Sequence, residues 1–77
     1  MCGILSLVNQ TPISNSTFLK ELSNLQHRGQ DSFGYSYIYE QKIEVKHSNN
    51  LLKNYKINDD EIIESQVFLG HTRYTTS

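Results

Sequence analysis

The sequence predicts a small α+β domain, and three stretches carry that prediction. Gly3 to Val8 holds a nearly continuous apolar run of Ile4, Leu5, Leu7 and Val8, the pattern of a strand buried on both faces. "STFLKELSNLQ" (residues 16–26) places Phe18, Leu19, Leu22 and Leu25 at i, i+1, i+4 and i+7, which is one face of a helix. "YSYIY" and "KIEVKH" are β-prone runs on either side of Glu40-Gln41, the pattern of a hairpin.

The elements follow in order. "NQTPISNS" is polar and carries the only proline, Pro12, so it reads as the loop that ends the first strand. Ser14, Asn15 and Ser16 are all candidate N-caps, and Gly29 is a plausible helix stop. "HRGQDSFG" has two glycines and no hydrophobic period, and reads as a loop. In the hairpin, Tyr35, Tyr37 and Tyr39 fall on one strand face. Asn58 or Asp59 could cap a short helix reaching Glu64, with acids suited to its positive end. "QVFLG" starts as a strand expected to end near Gly70. "GHTRYTTS" closes the 77 residues with no helix cap, polar tail or evident strand partner, so the sequence reads as cut short.

At 77 residues the chain holds one domain at most, spanning residues 1–77. A chain of this size buries only about 60% of its unfolded surface. Poor solo stability, exposed sheet edges and a tendency to associate are therefore expected. Apolar residues at 36% and charged residues at 19% fit a globular chain. A net charge of −1 offers no electrostatic footprint for nucleic acid. No apolar run approaches the ~18 residues of a membrane span, no secretory signal is present, and a single cysteine suits a reducing compartment. The expected location is the cytoplasm.

Three segments could carry chemistry. Cys2 directly follows the initiator Met. Loss of Met1 would leave an α-amine of pKa ~7.7–8.0 beside the thiol, a nucleophile next to its own base. The alternative is a buried structural cysteine on a strand. "LQHRGQDSFG" gathers His27, Arg28, Gln30, Asp31 and Ser32 around a glycine, either a site or a solvated turn. "GHTRYTTS" sets Arg73 among Thr72, Thr75 and Thr76. A planar guanidinium fork with nearby hydroxyls makes a carboxylate cradle, and a solvated strand end is the plain alternative. Cys2, His27, His47 and His71 show no metal-ligand spacing, so no metal is expected, and no glycine-rich phosphate loop is present.

Taken together, "MCGI", "LQHRGQDSFG" and "GHTRYTTS" resemble, in order and spacing, the class II glutamine amidotransferases. In that family an N-terminal cysteine hydrolyses the side-chain amide of glutamine and releases ammonia. The resemblance spans nearly the whole chain, and "HRGQDS" is its most specific part. Gln30, followed by Tyr74 after Arg73, is most similar to the branch that opens de novo purine synthesis. The hexose-phosphate aminotransferase branch has Tyr and Trp at those two positions, and asparagine synthetases have Pro at the Gln30 position.

The resemblance implies an N-terminal nucleophile hydrolase fold, an αββα sandwich of which these residues form an incomplete N-terminal portion. It implies Cys2 as catalytic nucleophile with its own amine as base. Arg73 and Thr76 would bind the glutamine α-carboxylate, and Arg28 and Gly29 would form a supporting loop packed against the nucleophile. His71 lies in the motif without a role as base. No cofactor is implied, and glutamine is the implied small-molecule substrate. Phe33 stands where the family usually has Ala, and Ser6 replaces a customary Gly. The family's oxyanion hole comes from an Asn-Gly motif further along its chains, as does the acidic ligand of the glutamine amine. Activity would then need a complementing polypeptide, and the alternative is an inactive remnant or a non-enzymatic partner-binding fragment.

Overall fold

A computed structural model describes residues 2–24, 32–49 and 55–73, with Cys2 described through its backbone. It contains strands β1 (Cys2–Ser14), β2 (Ser32–Tyr39), β3 (Lys42–Ser48) and β4 (Glu64–Arg73), helix α1 (Asn15–Ser23), and a 3₁₀ turn at Asp59–Glu61. The four strands make one antiparallel sheet in the order β1-β4-β2-β3. This is the expected α+β class. The last strand in sequence is a central one, paired on both sides through Arg73, so the expectations that it ends near Gly70 and has no partner are corrected.

The first strand also runs longer than its apolar stretch. Regular pairing holds from Cys2↔Arg73 to Val8↔Val67, then resumes at Ile13↔Ser65. Between these points β1 advances five residues (8 to 13) while β4 advances two (67 to 65), so three extra residues arch out. Pro12 lies in that irregular stretch of an edge strand, where its missing N–H costs no ladder bond. "NQTPIS" is thus an interruption within β1, and the predicted loop between strand and helix is absent.

Ser14 caps α1: its hydroxyl accepts the Thr17 N–H at 3.1 Å. Asn15, the neighbouring candidate, is buried instead. Its side-chain amide donates to the Glu61 carbonyl at 3.1 Å, and its side-chain oxygen accepts the Ile63 N–H at 3.2 Å. Its backbone N–H donates to the Ile63 carbonyl at 3.0 Å. The start of α1 is thereby tied to the segment entering β4. The helix ends at Ser23 with Asn24 as its C-cap. Gly29, the expected stop, and Leu25 lie outside the described residues.

The hairpin forms as expected, although β2 begins at Ser32 and absorbs the end of the segment read as a loop. Its two-residue connection, Glu40-Gln41, has φ of 51° and 65°, the left-handed backbone that a type I′ turn requires and that matches strand twist. The expected helix before β4 shrinks to the 3₁₀ turn. The Asn58 side chain donates to the Glu61 carboxylate at 2.8 Å rather than capping a backbone N–H.

The two faces of the sheet differ. Phe18, Leu19 and Leu22 of α1 cover one face and form a core with Phe33, Tyr35, Tyr37 and Phe68. Phe18 stacks on Phe68 with ring centroids 4.8 Å apart. Gly70 permits this closeness, since a Cβ there would lie 2.8 Å from the Phe18 ring. The outer face carries Ile4, Val8, Ile38, Ile43, Val45 and Leu69, all exposed. They are distributed over all four strands, because paired residues share a face.

Candidate functional site

The register brings the three motif segments to one end of the sheet. Cys2 pairs with Arg73, and Arg73 pairs on its other side with Ser32, the last residue of "HRGQDS". One step inward, Thr72 pairs with both Gly3 and Phe33. Strands lie ~4.8 Å apart, so Cys2, Arg73 and Ser32 form a row about 10 Å across. Residues separated by some 70 positions in sequence meet because β4 inserts between β1 and β2.

Arg73 is exposed at the end of β4, and among the described residues no ion pair engages its guanidinium. A free guanidinium at a strand end can take a carboxylate in bidentate fashion. Beside it, Thr72 is fully buried, and its hydroxyl has no hydrogen-bond partner among the described residues. Ser32 is also buried. Among the other expected site residues, Arg28, Gly29 and Thr76 lie outside the described residues, as do His27, Gln30, Asp31 and Tyr74.

His71 is exposed on the outer face with its ring over Gly34. Among the described residues no group of three or more His, Cys, Asp or Glu gathers as a metal site, and no helix is long and apolar enough to cross a membrane.

Sequence reasoning missed two participants in this geometry. Ser32 was read as part of a loop, although it stands opposite Arg73. The β-prone run that follows it was the available signal, since a strand starting there could begin earlier. The pairing of Gly34 with His71 had no sequence signal at all, because cross-strand register is set by the assembled sheet.

Comparison with known proteins finds relatives along the whole chain. The chain is 33% identical over 79 aligned residues to amidophosphoribosyltransferase of Haemophilus influenzae, and the match covers all of this chain and 15% of that protein. The corresponding enzyme of Pseudomonas aeruginosa is 31% identical, with the same coverage. Glutamine–fructose-6-phosphate aminotransferase (isomerizing) of Clostridium perfringens is 34% identical over 77 residues, covering 99% of this chain and 12% of that protein. No family model matches the chain, and no solved structure matches it. Over its whole length the chain is homologous to the N-terminal glutaminase domains of class II glutamine amidotransferases. It spans 15% or less of the relatives named here.

Proposed function

We propose that the chain contributes the nucleophile and carboxylate clamp of a glutamine-hydrolysing site, with Cys2 as the attacking group. Removal of Met1 frees the Cys2 amine, which takes the thiol proton. The thiolate then attacks the glutamine side-chain amide carbon, and the amide nitrogen leaves as ammonia after accepting that proton. Water hydrolyses the resulting thioester to glutamate and restores the thiol. Arg73 holds the substrate α-carboxylate as a planar fork, Thr76 assists it, and the Arg28-Gly29 loop supports the nucleophile. The observation that carries this reading is the pairing of Cys2 with Arg73 at the end of the sheet.

Gln30 and Tyr74 favour the amidophosphoribosyltransferase branch over the aminotransferase branch. Overall identity, at 31–33% against 30–34%, does not separate the two. The exposed apolar outer face fits a sandwich in which a second sheet packs against this one. No Asn-Gly pair occurs in the 77 residues, so the oxyanion donors and the amine ligand would come from further residues or a complementing polypeptide. The second reading is an inactive or partner-binding role.

Mass spectrometry of the expressed chain separates the two readings. The catalytic one expects Met1 absent and a single label from the glutamine analogue diazo-oxo-norleucine on Cys2, suppressed by excess glutamine. Retained Met1, or labelling indifferent to glutamine, overturns it in favour of the second.

A further inference from the structure

The strand order β1-β4-β2-β3 leaves two edges, β1 and β3. β1 is blunted. Pro12 lies in it, extra residues arch out of its pairing, and the Gln66 side chain donates to the Gln10 carbonyl. Proline and bulges are usual ways of closing a sheet edge. β3 has neither. Its seven residues pair one-to-one with β2, from Tyr39↔Lys42 to Phe33↔Ser48, with no shift in register. Among the described residues no strand occupies its other side. This edge lies in the plane of the sheet, so a second layer packed on the outer face leaves it free.

The hairpin turn fixes which backbone groups of β3 point outward. Tyr39 and Lys42 flank a two-residue turn, so they form a hydrogen-bonded pair. In an antiparallel ladder such pairs alternate with non-hydrogen-bonded ones. The N–H and C=O groups of Lys42, Glu44 and Lys46 are thus turned towards β2. Those of Ile43, Val45 and His47 face the free side. Side chains follow the pleat instead. Glu44 and Lys46 stand on the helix-bearing face, because their partners Tyr37 and Tyr35 belong to its core. Both are exposed, and among the described residues neither forms a salt bridge.

We propose that β3 is a dimerisation edge, at which two copies of the chain join β3 to β3 in antiparallel register about a two-fold axis at Val45. Val45 is the middle residue of the strand. This register opposes Val45 to its own copy and Ile43 to His47 of the second copy. All of these present outward backbone groups, giving about six hydrogen bonds across the axis. It also opposes Glu44 of each copy to Lys46 of the other. These are non-hydrogen-bonded pairs, in which side chains approach most closely. Charge selects the register. An axis at Glu44 would set Glu44 against itself and Lys42 against Lys46, and an axis at Lys46 would set Lys46 against itself. Like charges directly opposed are destabilising. The product is one continuous sheet through both copies. Its interface is small, so the dimer is weak and reversible. Cys2 lies on β1, at the opposite edge, and the dimer leaves the proposed glutamine site open.

Sedimentation equilibrium of the full 77-residue chain over a range of concentrations tests the edge. The expected result is a reversible monomer–dimer equilibrium. Glu44→Lys and Lys46→Glu should each weaken association by about tenfold or more, since each turns both attractive pairs into repulsive ones. Mixed one to one, the two variants should associate again at least as well as the parent, because positions 44 and 46 of one then face the opposite charges of the other. Val45→Pro should abolish the dimer and spare the hairpin, because the Val45 N–H makes no bond to β2. Amide hydrogen exchange at Ile43, Val45 and His47 should slow as concentration rises, while that at Glu44 and Lys46 changes little. Should Val45→Pro fail to fold by circular dichroism, the two exposed charge variants decide the matter. A chain that stays monomeric throughout, association indifferent to both charge reversals, or no recovery in the mixture overturns the proposal.

Discussion

Cys2 and Arg73 occupy facing positions on adjacent antiparallel strands, at the first residue of β1 and the last of β4. Directly opposed residues in such a ladder have Cα atoms ~4.5–5.5 Å apart. A glutamine whose α-carboxylate is held by Arg73 would thus be anchored from the strand adjacent to that of the proposed nucleophile. Arg73→Ala is expected to slow glutamine-analogue labelling of Cys2 by roughly 10- to 100-fold, the worth of a charge-assisted hydrogen bond of ~1.5–3 kcal/mol. Alkylation by iodoacetamide, which has no carboxylate to anchor, should continue at the parent rate. Equal slowing of both reagents would mean that Arg73 acts on the strand end rather than on the substrate.

Much of this fold could be read from the residues, and the failures have physical causes. Local patterns revealed α1 and the hairpin, because each is set by contacts within about ten residues. Pro12 misled because an edge strand tolerates what a central strand rejects. Arg73 looked like a free strand end because its partners, Cys2 and Ser32, lie about 70 and 40 positions away. The candidate site was legible as three motifs. Their convergence was not, since it depends on β4 inserting between β1 and β2.

Asn15 offers a test of what holds α1 to the sheet. Its side chain satisfies the Glu61 carbonyl and the Ile63 N–H while nearly fully buried. Asn15→Ala leaves both backbone groups without those partners, and each such loss costs ~1–3 kcal/mol. A loss of about 2–4 kcal/mol is expected from urea midpoints. Asn15→Asp keeps the acceptor for Ile63 N–H but sets a buried carboxylate oxygen against the Glu61 carbonyl, so it should lose at least as much. A change below 0.5 kcal/mol in Asn15→Ala would show that water replaces the clamp at no cost.

The hairpin turn stores a correctable strain. Glu40 and Gln41 both have positive φ, and neither is the glycine or asparagine that a type I′ turn favours. Gln41→Gly removes the Cβ penalty of the left-handed conformation, ~1 kcal/mol for a single residue. It also frees the unfolded chain, which offsets part of that gain. A net stabilisation of a few tenths to about 1 kcal/mol is expected, with a higher thermal midpoint and unchanged circular dichroism. Destabilisation would mean that the Gln41 side chain contributes more than its backbone costs.

Tyr35 gives the alkaline limit of stability. Burial in the aromatic core pushes its phenol from 10 up to about 12, against a smaller opposing effect from the Asn15 side-chain hydrogen bond. Tyr37 is raised as well, again chiefly by burial. The unfolded phenol titrates near 10. Between pH 10 and 12 the folded state therefore holds a proton that the unfolded state has lost, and stability falls as pH rises. The Tyr35 contribution is complete below pH 10 and disappears as pH passes through 12, a span of about 2–3 kcal/mol. Urea midpoints at pH 9 to 12 should fall across that window. Tyr35→Phe, which cannot ionise, should flatten the decline, since every other ionisable group is common to both proteins. Parallel pH profiles for the two would show that the Tyr35 phenol ionises as freely in the folded chain as in the unfolded one.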